Sequence, residues 1–192
     1  MNSRPEWDGF TRILHWGLTL CITFQLFTGL FVSAPNTLRY FHWHEYGGLT
    51  AAAVILLHWI WSFTIRDLGV LFPWNPKAFK HVKEEAMGLL RGHIPAAGRQ
   101  AGLSSFIHGF GLLAMSGMAV TGVFLFVFIP VRLGGMDPST APAAITALSV
   151  IHGSLSYVAW TYWVGHVGFA ILHQLRGNRV FGAIYLSGRE QQ

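Results

Sequence analysis

Residues 151–176 read IHGSLSYVAWTYWVGHVGFAILHQLR, three histidines, His152, His166 and His173, set in a segment otherwise apolar enough to cross a bilayer. A helix turns about 100° per residue, so the 14 residues from His152 to His166 turn about 1400°, about 40° short of four turns. Both imidazoles therefore share one face. A rise of about 1.5 Å per residue sets them roughly 21 Å apart, one towards each edge of a hydrocarbon core about 30 Å thick. That geometry suits two cofactors stacked across a membrane. Histidine inside a span is costly, its default reading is functional, and neutral imidazole is a common iron ligand. The alternative is a pair of hydrogen-bonded interhelical histidines.

The rest of the chain extends this reading. Its 192 residues are 52% hydrophobic and 11% charged, with 8 Trp and 15 Phe, which is membrane composition and excludes an ordinary soluble domain. Four stretches are long and apolar enough to span: about 10–33, 44–65, 104–130 and 146–175. We expect an all-α integral membrane protein, a four-transmembrane-helix bundle forming one domain over residues 1–192. The start, MNSRPEWDGFTR, carries no basic region leading into a short apolar core, so no cleaved signal peptide is expected. The single cysteine, Cys21, excludes an intrachain disulfide, a cysteine-held iron–sulfur cluster and a CxxCH haem attachment.

The net charge of +5 raises nucleic acid as a partner, but the basic residues segregate by loop. With the N-terminus inside, Arg4, Arg12, Arg66, Lys77, Lys80, Lys83, Arg91, Arg99, Arg176, Arg179 and Arg189 are cytoplasmic, and only Arg39 and Arg132 face outward. Eleven against two is a positive-inside signal that puts both termini in the cytoplasm, and the charge then reports topology and anionic lipid. No nucleic-acid partner is expected.

The first span carries Arg12-Ile-Leu-His15-Trp16 near its inner edge and Thr28-Gly29 near its outer one. Gly29 follows His15 by 14 residues, on the same face, where a missing side chain lets a flat ring approach the backbone or lets two helices pack. An outer loop, residues 33–41, holds Pro35 and Asn36 and leads to the second span, with His44 at its outer end and His58 near its inner end. His42 falls on a different face and is expected in the interface with Trp43. Asn75-Pro76 reads as a helix cap, and Phe79, Val82, Ala86, Leu89 and Leu90 recur at helical spacing among lysines. These predict an amphipathic helix on the inner leaflet between the second and third spans, with His81 and His93 as surface histidines.

The third span repeats the first: Ile107-His108 to Thr121-Gly122 has the spacing of Leu14-His15 to Thr28-Gly29. The fourth repeats the second, His152/His166 against His44/His58, which suggests a duplicated helical hairpin. His173, seven residues beyond His166, lies within about 20° of the same face at the inner surface, well placed to handle protons. Gly109-x-Gly111 lies inside a span and does not form a phosphate loop.

Six in-span histidines sort into two levels, His44 and His152 outside and His15, His58, His108 and His166 inside. Two bis-histidine b-type haems need four imidazoles, two per level, and a four-helix bundle builds such sites from facing side chains. With Arg12-x-x-His15-Trp16, Thr28-Gly29, His44 and the pair His152 and His166, the chain resembles the bacterial cytochrome b561 family, related to the cytochrome b subunits of Ni/Fe-hydrogenases and formate dehydrogenases. The resemblance covers all four spans. It implies iron ligation by His15 with His166 and by His44 with His152, with Arg12 and Gly29 beside the two haem b cofactors; the levels and the hairpin repeat add His58, His108, Gly122 and His173 as further candidates around them. His58 stands where the family often has arginine, and the hairpin symmetry makes it the rival of His15 for the inner iron.

The function so implied is electron transfer across the bacterial cytoplasmic (inner) membrane between quinol or quinone, ubiquinone or menaquinone, and a periplasmic or membrane redox partner protein. It makes the chain an electron-transfer cytochrome, with quinol-linked oxidoreductase activity and homodimer formation left open. Two rival readings are a haem-free membrane anchor subunit and a haem-dependent transmembrane metal reductase. All eight Asp and Glu residues lie in loops, tails or span ends, which argues against a proton-coupled transporter.

Overall fold

The computed structural model describes residues 8–32, 38–65, 68–72, 75–95, 102–128, 142–177 and 180–185. These fold as helices and their connections, without strands: α1 (Gly9–Gly29), α2 (Leu38–Thr64), α3 (Leu68–Leu71), α4 (Pro76–Leu90), α5 (Leu103–Phe128), α6 (Ala143–Leu175) and α7 (Val180–Tyr185). Of the outer loop expected at 33–41, residues 33–37 lie outside the described residues and residues 38–41 belong to α2; residues 129–141 and Arg4, Arg66, Arg99, Arg132, Arg179 and Arg189 also lie outside the described residues.

Among the described residues three stretches are long and apolar enough to cross a membrane: Tyr40–Thr64, Leu103–Phe128 and Ala143–Leu175. The 21 residues of α1 include Arg12, His15 and Gln25, which dilute its hydropathy. Ile13, Leu20, Phe63, Val127, Val150 and Val164 each expose more than half their surface. In water so much exposed apolar area would drive association; in a bilayer it meets lipid. The protein is a membrane protein on these grounds.

Helix starts differ from the sequence reading in instructive ways. The second helix begins at Leu38 rather than at residue 44 and runs through the Gly47-Gly48 pair. Gln25 and Phe24 of α1 fill the space that a Cβ on Gly47 would need. Helix α6 begins at Ala143, directly behind Pro142, whose carbonyl accepts from the Ile145 and Thr146 amides at 2.9 and 3.1 Å. The short helices α3 and α7 have too few residues to leave a periodic signal.

Side chains close the helix ends. Asn75 caps α4, its side chain accepting from the Ala78 amide at 2.9 Å ahead of Pro76 at the first turn. Glu85 on α4 accepts the Leu103 amide at 2.6 Å, a carboxylate at the positive end of α5. Asp8 caps α1: it accepts the Thr11 amide at 2.9 Å and the Thr11 hydroxyl, which in turn accepts the Trp61 indole N–H at 2.9 Å.

Contacts divide the chain into two units. The first comprises Met1–Trp16, His58–Leu112 and Val164–Gln192, and is packed by aromatic pairs such as Phe10 with Trp61 at 4.7 Å and Trp59 stacked on Phe72 at 5.8 Å. The second comprises Gly17–Leu57 and Leu113–Trp163, where Phe27 meets Trp160 and Trp163 edge-on at 5.5 and 6.0 Å. There Trp163 Nε1 donates to Thr23 Oγ1 at 3.0 Å, which satisfies its indole away from water.

The Asp8 cap carries a pH dependence. Partial burial raises the carboxyl pKa, but the hydrogen bonds from Thr11, Trp61 and Phe10 together hold it below its ordinary value of 3.8. A carboxyl with a depressed folded pKa stabilises above its unfolded pKa, and that contribution is lost as pH falls through the folded value. Asp8→Ala should therefore cost about 1 kcal/mol at neutral pH. In paired thermal melts the gap to the parent should close as pH falls below about 4. A gap independent of pH would show that the carboxylate charge does not matter to the cap.

Candidate functional site

In the second unit His44 of α2 and His152 of α6 face each other with ring centroids 6.4 Å apart. Each is held by a threonine on a neighbouring helix. Thr28 Oγ1 donates to the Phe24 carbonyl at 2.8 Å, one turn back in α1, and lies 3.2 Å from His44 Nδ1. Thr121 Oγ1 donates to the Gly117 carbonyl at 2.7 Å in α5 and lies 2.8 Å from His152 Nδ1. A hydroxyl has one proton, and in both threonines it goes to a helix carbonyl. The Gln25 and Met118 carbonyls, which pair with His44 and His152, also only accept, and with each hydroxyl proton on a helix carbonyl the arrangement favours Nδ1–H on both histidines, with the lone pair at Nε2.

A side chain at the glycine after each threonine would meet the same ring. A Cβ on Gly29 would stand 3.5 Å from His44 Cε1, and one on Gly122 would stand 3.2 Å from His152 Cε1. The flat ring that approaches the backbone at these two positions is the imidazole itself. Thr28-Gly29 in α1 and Thr121-Gly122 in α5 thus act alike on His44 and His152, which agrees with the hairpin repeat in the sequence.

In the first unit one nitrogen each of His15, His108 and His166 lies within 4.8 Å of the other two, close enough to hold a metal ion. His15 of α1 and His166 of α6 have ring centroids 6.2 Å apart, whereas His108 of α5 crosses His166 at 4.9 Å and 88°. His108 Nδ1 lies 2.7 Å from the Ser104 carbonyl, an oxygen that only accepts. His108 therefore also carries Nδ1–H, with its lone pair at Nε2. His58 of α2 stands within electrostatic reach of His15 but outside the three-nitrogen cluster. Arg12 is half-buried, and His173 is half-buried in the last turn of α6.

The remaining histidines are engaged elsewhere. His42 lies beside Glu45, with Nδ1 and Oε2 3.0 Å apart, and stacks on Tyr46 at 6.4 Å, so its neighbours include more than the Trp43 interface expected for it. His81 lies 3.4 Å from Glu85, and His93 is exposed. The sequence reading missed the two threonine hydroxyls and the Ser104 carbonyl. The available signal was the Thr before each glycine in both halves.

A donor set of neutral imidazoles, with no carboxylate in the cluster, suits a transition metal. No curated protein and no solved structure matches the chain. The family model of prokaryotic cytochrome b561 matches residues 6–184, nearly the whole chain, both units included. The chain belongs to the prokaryotic cytochrome b561 family and is a b-type haem protein of membrane electron transfer.

Proposed function

We propose that the chain is a diheme b-type cytochrome carrying single electrons across the bacterial cytoplasmic membrane, between quinol or quinone and a partner redox protein. One observation carries the reading. Two imidazoles that would hold one metal between them, each nitrogen about 2.0 Å from it, would have ring centroids about 6.3 Å apart. The pairs His15/His166 and His44/His152 stand at 6.2 and 6.4 Å. The spacing also bears on the rivals for the inner iron, since His108 at 4.9 Å from His166 is too close to share a metal with it in that manner.

The residues present fit the group. With Nδ1–H committed to Thr28 and Thr121, His44 and His152 offer Nε2 to iron in a fixed ring orientation. Bound haem supplies one-electron chemistry at its iron, and the chain sets its ligands and surroundings. Apolar side chains along α1, α2, α5 and α6 exclude water. A haem-free anchor would have no use for two histidine pairs at this separation.

In this reading α1 is the fourth span, residues 1–192 form one cytochrome domain, and both termini are cytoplasmic. Helix α4 lies on the inner leaflet: Phe79, Met87 and Leu90 are exposed, Leu90 by 81%, while Lys77, Lys80 and Lys83 reach headgroups. Quinone meets the chain at the inner surface, near His173 and Arg12, with Arg176 in the turn beyond α6. Imidazole relays the protons that quinone chemistry takes up or releases.

Replacing His152 with Ala should lower the pyridine haemochrome count from two haems per chain towards one, because His44 loses its facing imidazole. A count of two would overturn the pairing. His173→Ala should slow haem reduction by a quinol analogue in stopped flow, by roughly 10-fold or more if it is the relay, and leave reduction by dithionite unchanged. Equal quinol rates in variant and parent would move the quinone site away from this end of α6.

A further inference from the structure

Helices α5 and α6 present an imidazole and an acceptor to each other in both units. In the second unit Thr121 of α5 accepts the Nδ1–H of His152. In the first unit α5 supplies His108 against His166 of α6. We propose that His108 Nε2 accepts the Nδ1–H of His166, and so orients that ligand and lowers the reduction potential of the iron it would hold. The inference rests on the haem reading above and gives His108 the role of a positioning residue.

Three observations support it. The Ser104 carbonyl takes the Nδ1–H of His108, which leaves its lone pair at Nε2. Two imidazoles joined by an N–H···N bond of about 2.9 Å have centroids about 5 Å apart, and the observed value is 4.9 Å. The rings cross at 88°, so the edge of one can meet the other without stacking.

The arrangement repeats the logic of the threonines with a different acceptor. In the second unit the chain runs from imidazole to hydroxyl to helix carbonyl; here it runs from imidazole to imidazole to helix carbonyl. An acceptor behind a metal-bound imidazole makes that ligand more basic. Greater basicity favours ferric over ferrous iron.

Redox titration of the full-length haem-loaded chain, followed optically, tests the inference. The component that disappears in His166→Ala marks the haem concerned. In His108→Leu that component should shift to higher potential, while the other component, the count of two haems and the low-spin ferric signals all persist. His108→Gln should stay close to the parent, because its amide oxygen can accept from His166 and its NH2 can donate to Ser104. His108→Met, which fills similar space without a comparable acceptor, should shift as His108→Leu does and serves if the leucine variant does not assemble.

Unshifted potentials in the apolar variants would overturn the proposal. Loss of the low-spin signal in them would overturn it too, by making His108 an iron ligand. An equal shift in His108→Gln would reduce the effect to packing. If His166→Ala retains both haems, the haem assignment itself has failed.

Discussion

A buried imidazole needs somewhere to put its proton, and that requirement organises both units of this chain. Leaving an N–H unpaired in hydrocarbon costs on the order of several kcal/mol. The chain meets the requirement with acceptors already tied to a helix: Thr28 to the Phe24 carbonyl, Thr121 to the Gly117 carbonyl, and the Ser104 carbonyl directly. Once Nδ1–H is placed, Nε2 becomes the nitrogen that can bind metal. Secondary structure thereby sets ligand chemistry.

The glycines follow from the same constraint. For a threonine in the next helix to reach Nδ1, the imidazole must lie against that helix's backbone; at Gly122 a Cβ would stand a tight 3.2 Å from His152 Cε1, whereas at Gly29 it would meet His44 Cε1 in ordinary contact at 3.5 Å. A methyl at Gly122, 3.2 Å from His152 Cε1, would make the ring give by a few tenths of an ångström. The Thr-Gly pair thus works as a unit, one residue accepting the proton and the next admitting the ring.

Much of this was legible in the sequence because helical periodicity acts along one chain. The 14-residue steps within α6 and within α2 follow from rise and turn alone, and the Asn75-Pro76 cap reads directly from residue chemistry. What depended on neighbouring helices was harder to read. Whether His15, His58 or His108 faces His166 is decided by how helices cross, and three histidines at one level look alike in a linear string. That residue 47 has no room for a side chain is set by Gln25 and Phe24 from another element. The threonines stood in plain view next to the glycines, but a side chain that both donates to its own helix and accepts from another leaves no periodic trace.

The central claim is that two imidazole pairs, one in each unit, hold two haems in one chain. Low-temperature electron paramagnetic resonance of the oxidised parent protein, integrated against protein concentration, tests it most directly. Two low-spin ferric signals, together amounting to two spins per chain, are expected. A single low-spin signal at one spin per chain, or a high-spin signal in its place, would contradict it.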